Sequence, residues 1–347
     1  MKFKFSFSLA VKIIIVIAAF TLPWWAALFT MQLTIRGLYL SILAMSFVFL
    51  AGYGDMVSLA QMSFASMAGY VIAIGAMKYG VSHGVLIPLG LLGGTLLSVV
   101  FGLIAIRAQK IYFMIMTLAL SLLFYGIGMQ WASMTGGSDG YTGLARPVFF
   151  GFSFGDPVVM YFLTLGCTGF SYYVMKRIIN SPFGIALQGI RDNPKRMAAL
   201  GFNVQLHRYI AIIISGFFAS IAGIIILYFT GVILPERAHL PSSVQVIMAG
   251  LVGGATILQG GLLGGVLMAF IISITSQYTM RYWTVIGTLF VIIVMFLPNG
   301  LLGSKDKIMG GVNQIIDYLR NIKFKTTKEN INQPDTSNGG SYDEQAN

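Results

Sequence analysis

Ser58, Gln61 and Ser63 follow Gly52 and Gly54 within a stretch made otherwise mostly of apolar residues. Hydroxyl and amide groups there could hydrogen-bond a small polar molecule. The two glycines permit a break or re-entrant turn. A membrane tolerates irregular backbone where it faces protein or a water-filled cavity, and transport sites often use such breaks. The competing reading is plain helix packing, because Ala65, Gly69 and Ala73 recur every fourth residue. Asp55 is the one acid close to the long apolar runs before the loop around Asp139. A carboxylate inside a membrane is a functional candidate. Beside the glycine break it can instead cap the third helix, a role that suits Asp, and the structural role is favoured.

Other chemistries find little support. His83, His207 and His239 lie far apart and fall in expected loops, where solvation is the simplest reading. Cys167 is the single cysteine, which excludes an internal disulfide and a thiolate metal cluster and suits inert packing. No Gly-x-x-x-x-Gly-Lys-Ser/Thr phosphate loop occurs. No convergent nucleophile, base and acid set is visible. The expectation is therefore no catalytic residue, no metal and no cofactor.

The elements that position these residues follow from composition. The chain has 347 residues, 56% hydrophobic and 10% charged, with a mean hydropathy of +0.81. Soluble domains carry about 25% charged residues. A water-soluble protein of this length could not hide so much apolar surface. A span needs about 20 mostly apolar residues. Ten segments qualify: 9–30, 33–52, 56–78, 84–106, 111–133, 157–176, 209–231, 243–258, 262–278 and 282–298. The eighth and ninth are short and glycine-rich. The β-branched runs do not alternate with polar residues, so helices are expected rather than barrel strands. The first run exceeds the roughly 7–15 residues of a signal core and is expected to remain as a span.

The formal net charge is +11. Lysines and arginines stand between apolar runs rather than on one interleaved face, which argues against a nucleic-acid partner. With both termini in the cytoplasm, 17 of the 22 Lys and Arg fall inside and 5 outside, as the positive-inside rule requires. Trp24, Trp25 and Trp131 stand near span ends, as interfacial anchors do. Residues 303–347 are expected to hold a short amphipathic helix on Val312, Ile315, Ile316 and Leu319, then a disordered polar tail.

One cytoplasmic loop, 177–207, is long and patterned. Ser181-Pro182 reads as an N-cap followed by proline at the first helical position, and Asn193-Pro194 repeats the signal. Gly201 suits a C-terminal cap. Two short helices result, with Arg191, Lys195 and Arg196 available on one side. They could lie on anionic membrane lipid or dock in a groove on a cytosolic protein. Gly184 in the first turn would let a partner approach, and the Arg191 fork suits a carboxylate.

Residues Ser181 to Phe202 resemble the cytoplasmic coupling loop of branched-chain amino acid ABC transporter permeases, second permease type. The shared features are Gly184, Ile190, Arg191 and the Leu200-Gly201 pair. Ile185 and Gly189 stand where that family usually has Arg and Ala. Further likeness lies in Gly52-Tyr53 with Ser58-Leu59, Tyr112-Phe113 with Thr117-Leu118-Ala119, Gly136 to Gly143, the glycines from Gly253 to Gly264, and Pro298 with Gly300-Leu301.

The resemblance, over about residues 30–302, implies an all-α polytopic inner-membrane protein of about ten transmembrane helices. Its permease domain would be 1–302. It implies a second permease subunit, two cytoplasmic ATP-binding subunits and an extracytoplasmic substrate-binding protein. Gly184, Ile190, Arg191, Asp192, Leu200 and Gly201 would couple to the ATPase. Gly52, Tyr53, Ser58, Gln61 and Thr117 would line the substrate path. Urea or short-chain amides are the alternative cargo. An ion-coupled transporter would want paired intramembrane acids, and Asp55 stands alone.

Overall fold

The computed structural model describes residues 19–108, 110–149, 151–296 and 300–303. The expected C-terminal helix and tail, and most of the first expected span, lie outside them. Residues 19–25 (α1) are helical, and a break at 26–27 precedes α2, Leu28–Gly54. Then follow α3 (Gln61–Met77), α4 (His83–Ala105), α5 (Ile111–Gln130) and α6 (Ala132–Thr135). After these come α7 (Pro157–Ile179), α8 (Pro182–Asp192), α9 (Pro194–Ala199) and α10 (Val204–Thr230). The last are α11 (Leu240–Gly253), α12 (Leu258–Tyr278), α13 (Tyr282–Phe296) and α14 (Gly300–Gly303).

Among the described residues, six helices are long and apolar enough to cross a membrane: α2, α4, α5, α7, α10 and α12. Apolar helices α3, α11 and α13 are shorter. The expectation of about ten spans is thus not reached by length and composition alone. The shortening of α3 and α11 has a local cause: the chain breaks at 55–60 and at 231–239 before each begins.

α2 occupies the centre and packs against α12, α10, α7 and α11, while α3 and α4 pack on each other and on α10. In lipid there is no hydrophobic force between helices, so close contact comes from small residues. On α12, Gly261 and Gly265 let the α2 backbone at Met45 and Ser41 lie against them, and Ser41 Oγ donates to Leu262 O at 2.6 Å. On α10, Gly223 lies against the Ala65 carbonyl of α3. The stripe of Ala65, Gly69 and Ala73 is therefore packing. Gly253, Gly260 and Gly264 serve the α11–α12 hairpin: a Cβ at Gly264 would collide with the Ala249 carbonyl, and one at Gly253 with that of Gly260.

Short strands close one end of the bundle. β1 (Tyr141–Thr142) pairs antiparallel with β4 (Val232–Ile233), and β2 (Val148–Phe149) with β3 (Phe152–Ser153). At the other end α8 lies against α2 and α7, and Gly300 lies against Gly254. The segments expected on one side of the membrane thus gather at one end.

Candidate functional site

The loop after α7 folds as two capped helices. Ser181 Oγ accepts the Gly184 N–H, and Asn193 Oδ1 accepts the Arg196 N–H at 3.0 Å. Pro182 and Pro194 start the two helices. Gly201, at φ +90°, closes α9: its N–H donates to Ala198 O and the Phe202 N–H to Met197 O. That bond pair is a Schellman cap.

The residues of this loop divide by face. Ala186, Leu187 and Ile190 are buried toward the bundle, and Leu187 lies close to Gly54 of α2. Gly184 is buried too, and a Cβ there would collide with the Ile178 and Ile179 carbonyls. The glycine admits the end of α7 in this same chain, which corrects the expectation that it admits a partner. Arg191 Nη1 donates to Gly52 O at 2.7 Å, and its Nε donates to Asp192 Oδ1 at 2.9 Å. Its fork is engaged within the chain, tying α8 to the end of α2. Ile185 and Leu200 remain 64% and 67% exposed, beside exposed Lys195, Arg196 and Gly201.

The glycine break is built differently from its expected form. Asp55 ends α2 in the left-handed conformation (φ 55°), its N–H bonded to Leu50 O. It is exposed, lies within electrostatic reach of Arg208, and caps the second helix rather than the third. Ser58 Oγ accepts the Ala60 N–H and Thr117 Oγ1 accepts the Leu59 N–H, both at 3.2 Å. Gln61 joins three helices: its Nε2 donates to Ser215 Oγ at 2.9 Å and its Oε1 accepts from Ser46 Oγ at 3.1 Å. Ser58 and Thr117 meet at the broken backbone, whose N–H groups they accept, while Gln61 is taken up by Ser46 and Ser215. Gly52 and Tyr53 lie elsewhere, against Ala255 and Leu258 at the bundle end.

The histidines, expected to be solvated in loops, are half-buried, each against an aromatic ring. His83 Nδ1 lies 3.0 Å from Tyr228 Oη, His207 stacks on Phe183 at 5.6 Å between centroids, and His239 meets Tyr125 edge-on at 4.7 Å.

Sequence reading missed the descent of the chain between α10 and α11. Pro235 packs beside Gly128 of α5, and Ala238 O accepts a hydrogen bond from Ser121 Oγ at 3.1 Å. Ser121 is the eleventh residue of the twenty in α5, so the 3-10 turn Pro235–Ala238 reaches mid-depth. Ser121 is also 2.6 Å from Ser63 of α3. α11 therefore starts inside the bundle, and its 14 residues at about 1.5 Å each carry the chain out to Gly253. The turn brings Arg237 with it. Arg237 comes within electrostatic reach of Tyr39, Arg36 and Tyr70. The signal in the sequence was Pro235 followed by an apolar run too short to span.

Apolar helices around a buried polar seam, a discontinuous helix that begins inside the bundle, and paired amphipathic helices across one end describe a polytopic membrane protein built like a transporter. Residues 29–297 match the family described as branched-chain amino acid transport system, permease component, and the chain belongs to that family. It is similar to the high-affinity branched-chain amino acid transport system permease protein LivM of Escherichia coli, 24% identical over 80% of this chain and 69% of that one. A probable branched-chain amino acid transport permease protein LivH of Methanocaldococcus jannaschii is 26% identical over 70% and 82%. The ribose import permease protein RbsC of Haemophilus influenzae is 26% identical over 63% and 69%. No solved structure matches.

Proposed function

We propose that this chain is the membrane-spanning subunit of an ATP-driven importer of branched-chain amino acids, set in a bacterial inner membrane with both termini cytoplasmic. The observation that carries the reading is the family match across 29–297, which takes in the bundle and the loop helices together. The similarity to LivM and LivH proteins supports the cargo. About ten spans, the short helices α3, α11 and α13 among them, are part of the proposal. So are the domain limits 1–302 and 303–347.

The division of labour follows. A binding protein outside delivers the amino acid, a second permease subunit completes the path, and two ATPases dock on 177–207. The exposed residues Ile185, Lys195, Arg196, Leu200 and Gly201 form the docking face. Gly184, Ile190 and Arg191 act behind it by holding α8 to α2 and α7, and exposed Asp192 steadies Arg191. ATP shifts the path between outward-open and inward-open states through the different affinity of those states for the partners.

Reconstituted with its partner subunits and binding protein in vesicles, the complex should take up labelled leucine in an ATP-dependent manner. Urea, short-chain amides and ribose should not be carried. Uptake of one of those and not of leucine would overturn the cargo.

A further inference from the structure

We propose that Arg237, with the amino end of α11 and the hydroxyls of Tyr70, Ser66 and Ser243, receives the carboxylate of the transported amino acid inside the bundle. The inference rests on the cargo proposed above and names the group that meets its negative end.

Arg237 stands on the turn that descends to mid-depth beside α5. Its Nε is buried with no hydrogen-bond partner. The ion pair seen among the described residues is Arg191–Asp192, at the far end of α2, and no described acid faces Arg237. Its electrostatic neighbours are Tyr39, Tyr70 and a second cation, Arg36. Arg237 is half-buried, and its unpaired Nε lies in the buried part; a desolvated, unpaired donor on a cation is costly, and a like charge nearby adds to that cost. The surroundings therefore favour an anion.

Three hydroxyls on the adjoining helices are equally unpaired. Tyr70 Oη, Ser66 Oγ and Ser243 Oγ are buried without a hydrogen-bond partner, in side chains 4%, 2% and 2% exposed. Buried polar groups in folded proteins are normally paired. Tyr70 lies within electrostatic reach of Arg237. Ser63, one face up α3 from Ser66 and Tyr70, reaches the same turn through Ser121 and Ala238 O. Ser243 lies in the first turn of α11, which has no side-chain cap. Pro241 lacks an N–H and that of Ser243 is bonded to His239 O, which leaves the Leu240 and Ser242 N–H groups; with the positive dipole end they favour a carboxylate. Glu236, next in sequence to Arg237, is exposed and leaves the station uncompensated.

The test uses the complex with its partner permease and ATPases, without the binding protein, so that recognition by that protein does not enter. Labelled leucine and labelled isovalerate, which keeps the carboxylate and branched chain but not the amine, are bound to wild type, Arg237→Lys, Arg237→Gln and Tyr70→Phe. Isovalerate should compete with leucine and isoamylamine, which lacks the carboxylate, should not. Arg237→Gln should weaken both ligands roughly tenfold to a hundredfold, and Arg237→Lys should recover part of that. Tyr70→Phe should weaken them by a smaller factor. A merely structural arginine would not set the preference for isovalerate over the amine. Equal competition by the amine, wild-type affinity in Arg237→Gln, or no binding by wild type at millimolar ligand would each overturn the station. If Arg237→Gln does not assemble, the wild-type competition and Tyr70→Phe decide. Arginine-dependent isovalerate binding without leucine uptake would keep the site and overturn the amino acid cargo instead.

Discussion

Gly184 and Ile185 are neighbours with opposite duties. A methyl at 184 has no room, because backbone carbonyls of α7 occupy the space. Backbone yields less readily than a side chain, so Gly184→Ala should cost about 1–3 kcal/mol, the range for overpacking. The loss should appear as a lower melting temperature of the solubilised protein. Ile185 is exposed, so Ile185→Asp should leave melting nearly unchanged while weakening capture of the ATPase subunits. Loss of capture without loss of stability separates the docking face from the residues that hold it. Arg191 shows the same division. Its bond to Gly52 O is charge-assisted, and such bonds contribute about 1.5–3 kcal/mol. Arg191→Ala should raise amide exchange at the end of α2 and along α8, with little change in α4 or α5. Unchanged exchange at those two segments would show that the link carries no strain between loop and bundle.

At the scale of helices, the polar seam behaves as one unit. Gln61 bonds Ser46 of α2 and Ser215 of α10, so removing any member orphans the rest. Gln61→Ala and Ser215→Ala should each destabilise by about 1–3 kcal/mol, and the double variant by less than their sum. Strict additivity in melting or denaturation would mean the seam is not coupled. The long apolar runs made α4, α5, α10 and α12 legible to within a few residues, and proline after Ser or Asn marked α8 and α9. What stayed hidden was the start of α11. Pro235-Glu236-Arg237 carries two charges and reads as an external loop, and hydropathy cannot tell that Ser121 supplies a partner for Ala238 O at mid-depth. The path residues were half legible for the same reason. Sequence shows that Ser58, Gln61 and Thr117 are polar in an apolar setting, but not that the broken backbone and its neighbours already use them. The histidines failed similarly, since their aromatic partners Tyr228, Phe183 and Tyr125 lie on distant helices.

For the whole molecule, the bundle sets which segments share an end, and the distribution of charge is the basis of the proposed orientation. Arg191 holds Gly52, and Gly300 lies against Gly254, so the loop helices, the end of α2 and α14 are together. Gly140 abuts Ile233 and β1 pairs β4, so the Asp139 loop joins the start of the descending segment at the opposite end. Under the assigned spans 17 of the 22 Lys and Arg are expected on the cytoplasmic side and 5 outside, and such a bias orients membrane proteins. Reporters placed within 177–207 and after Gly303 should therefore both read cytoplasm, and one beside Asp139 should read the outside. The two ideas fail separately. Like readings at Asp139 and in 177–207 would break the arrangement of helices, because the structure puts those loops at opposite ends. Three inverted readings would leave the bundle intact and overturn the orientation, and with it the docking of ATPases on the exposed face of α8 and α9.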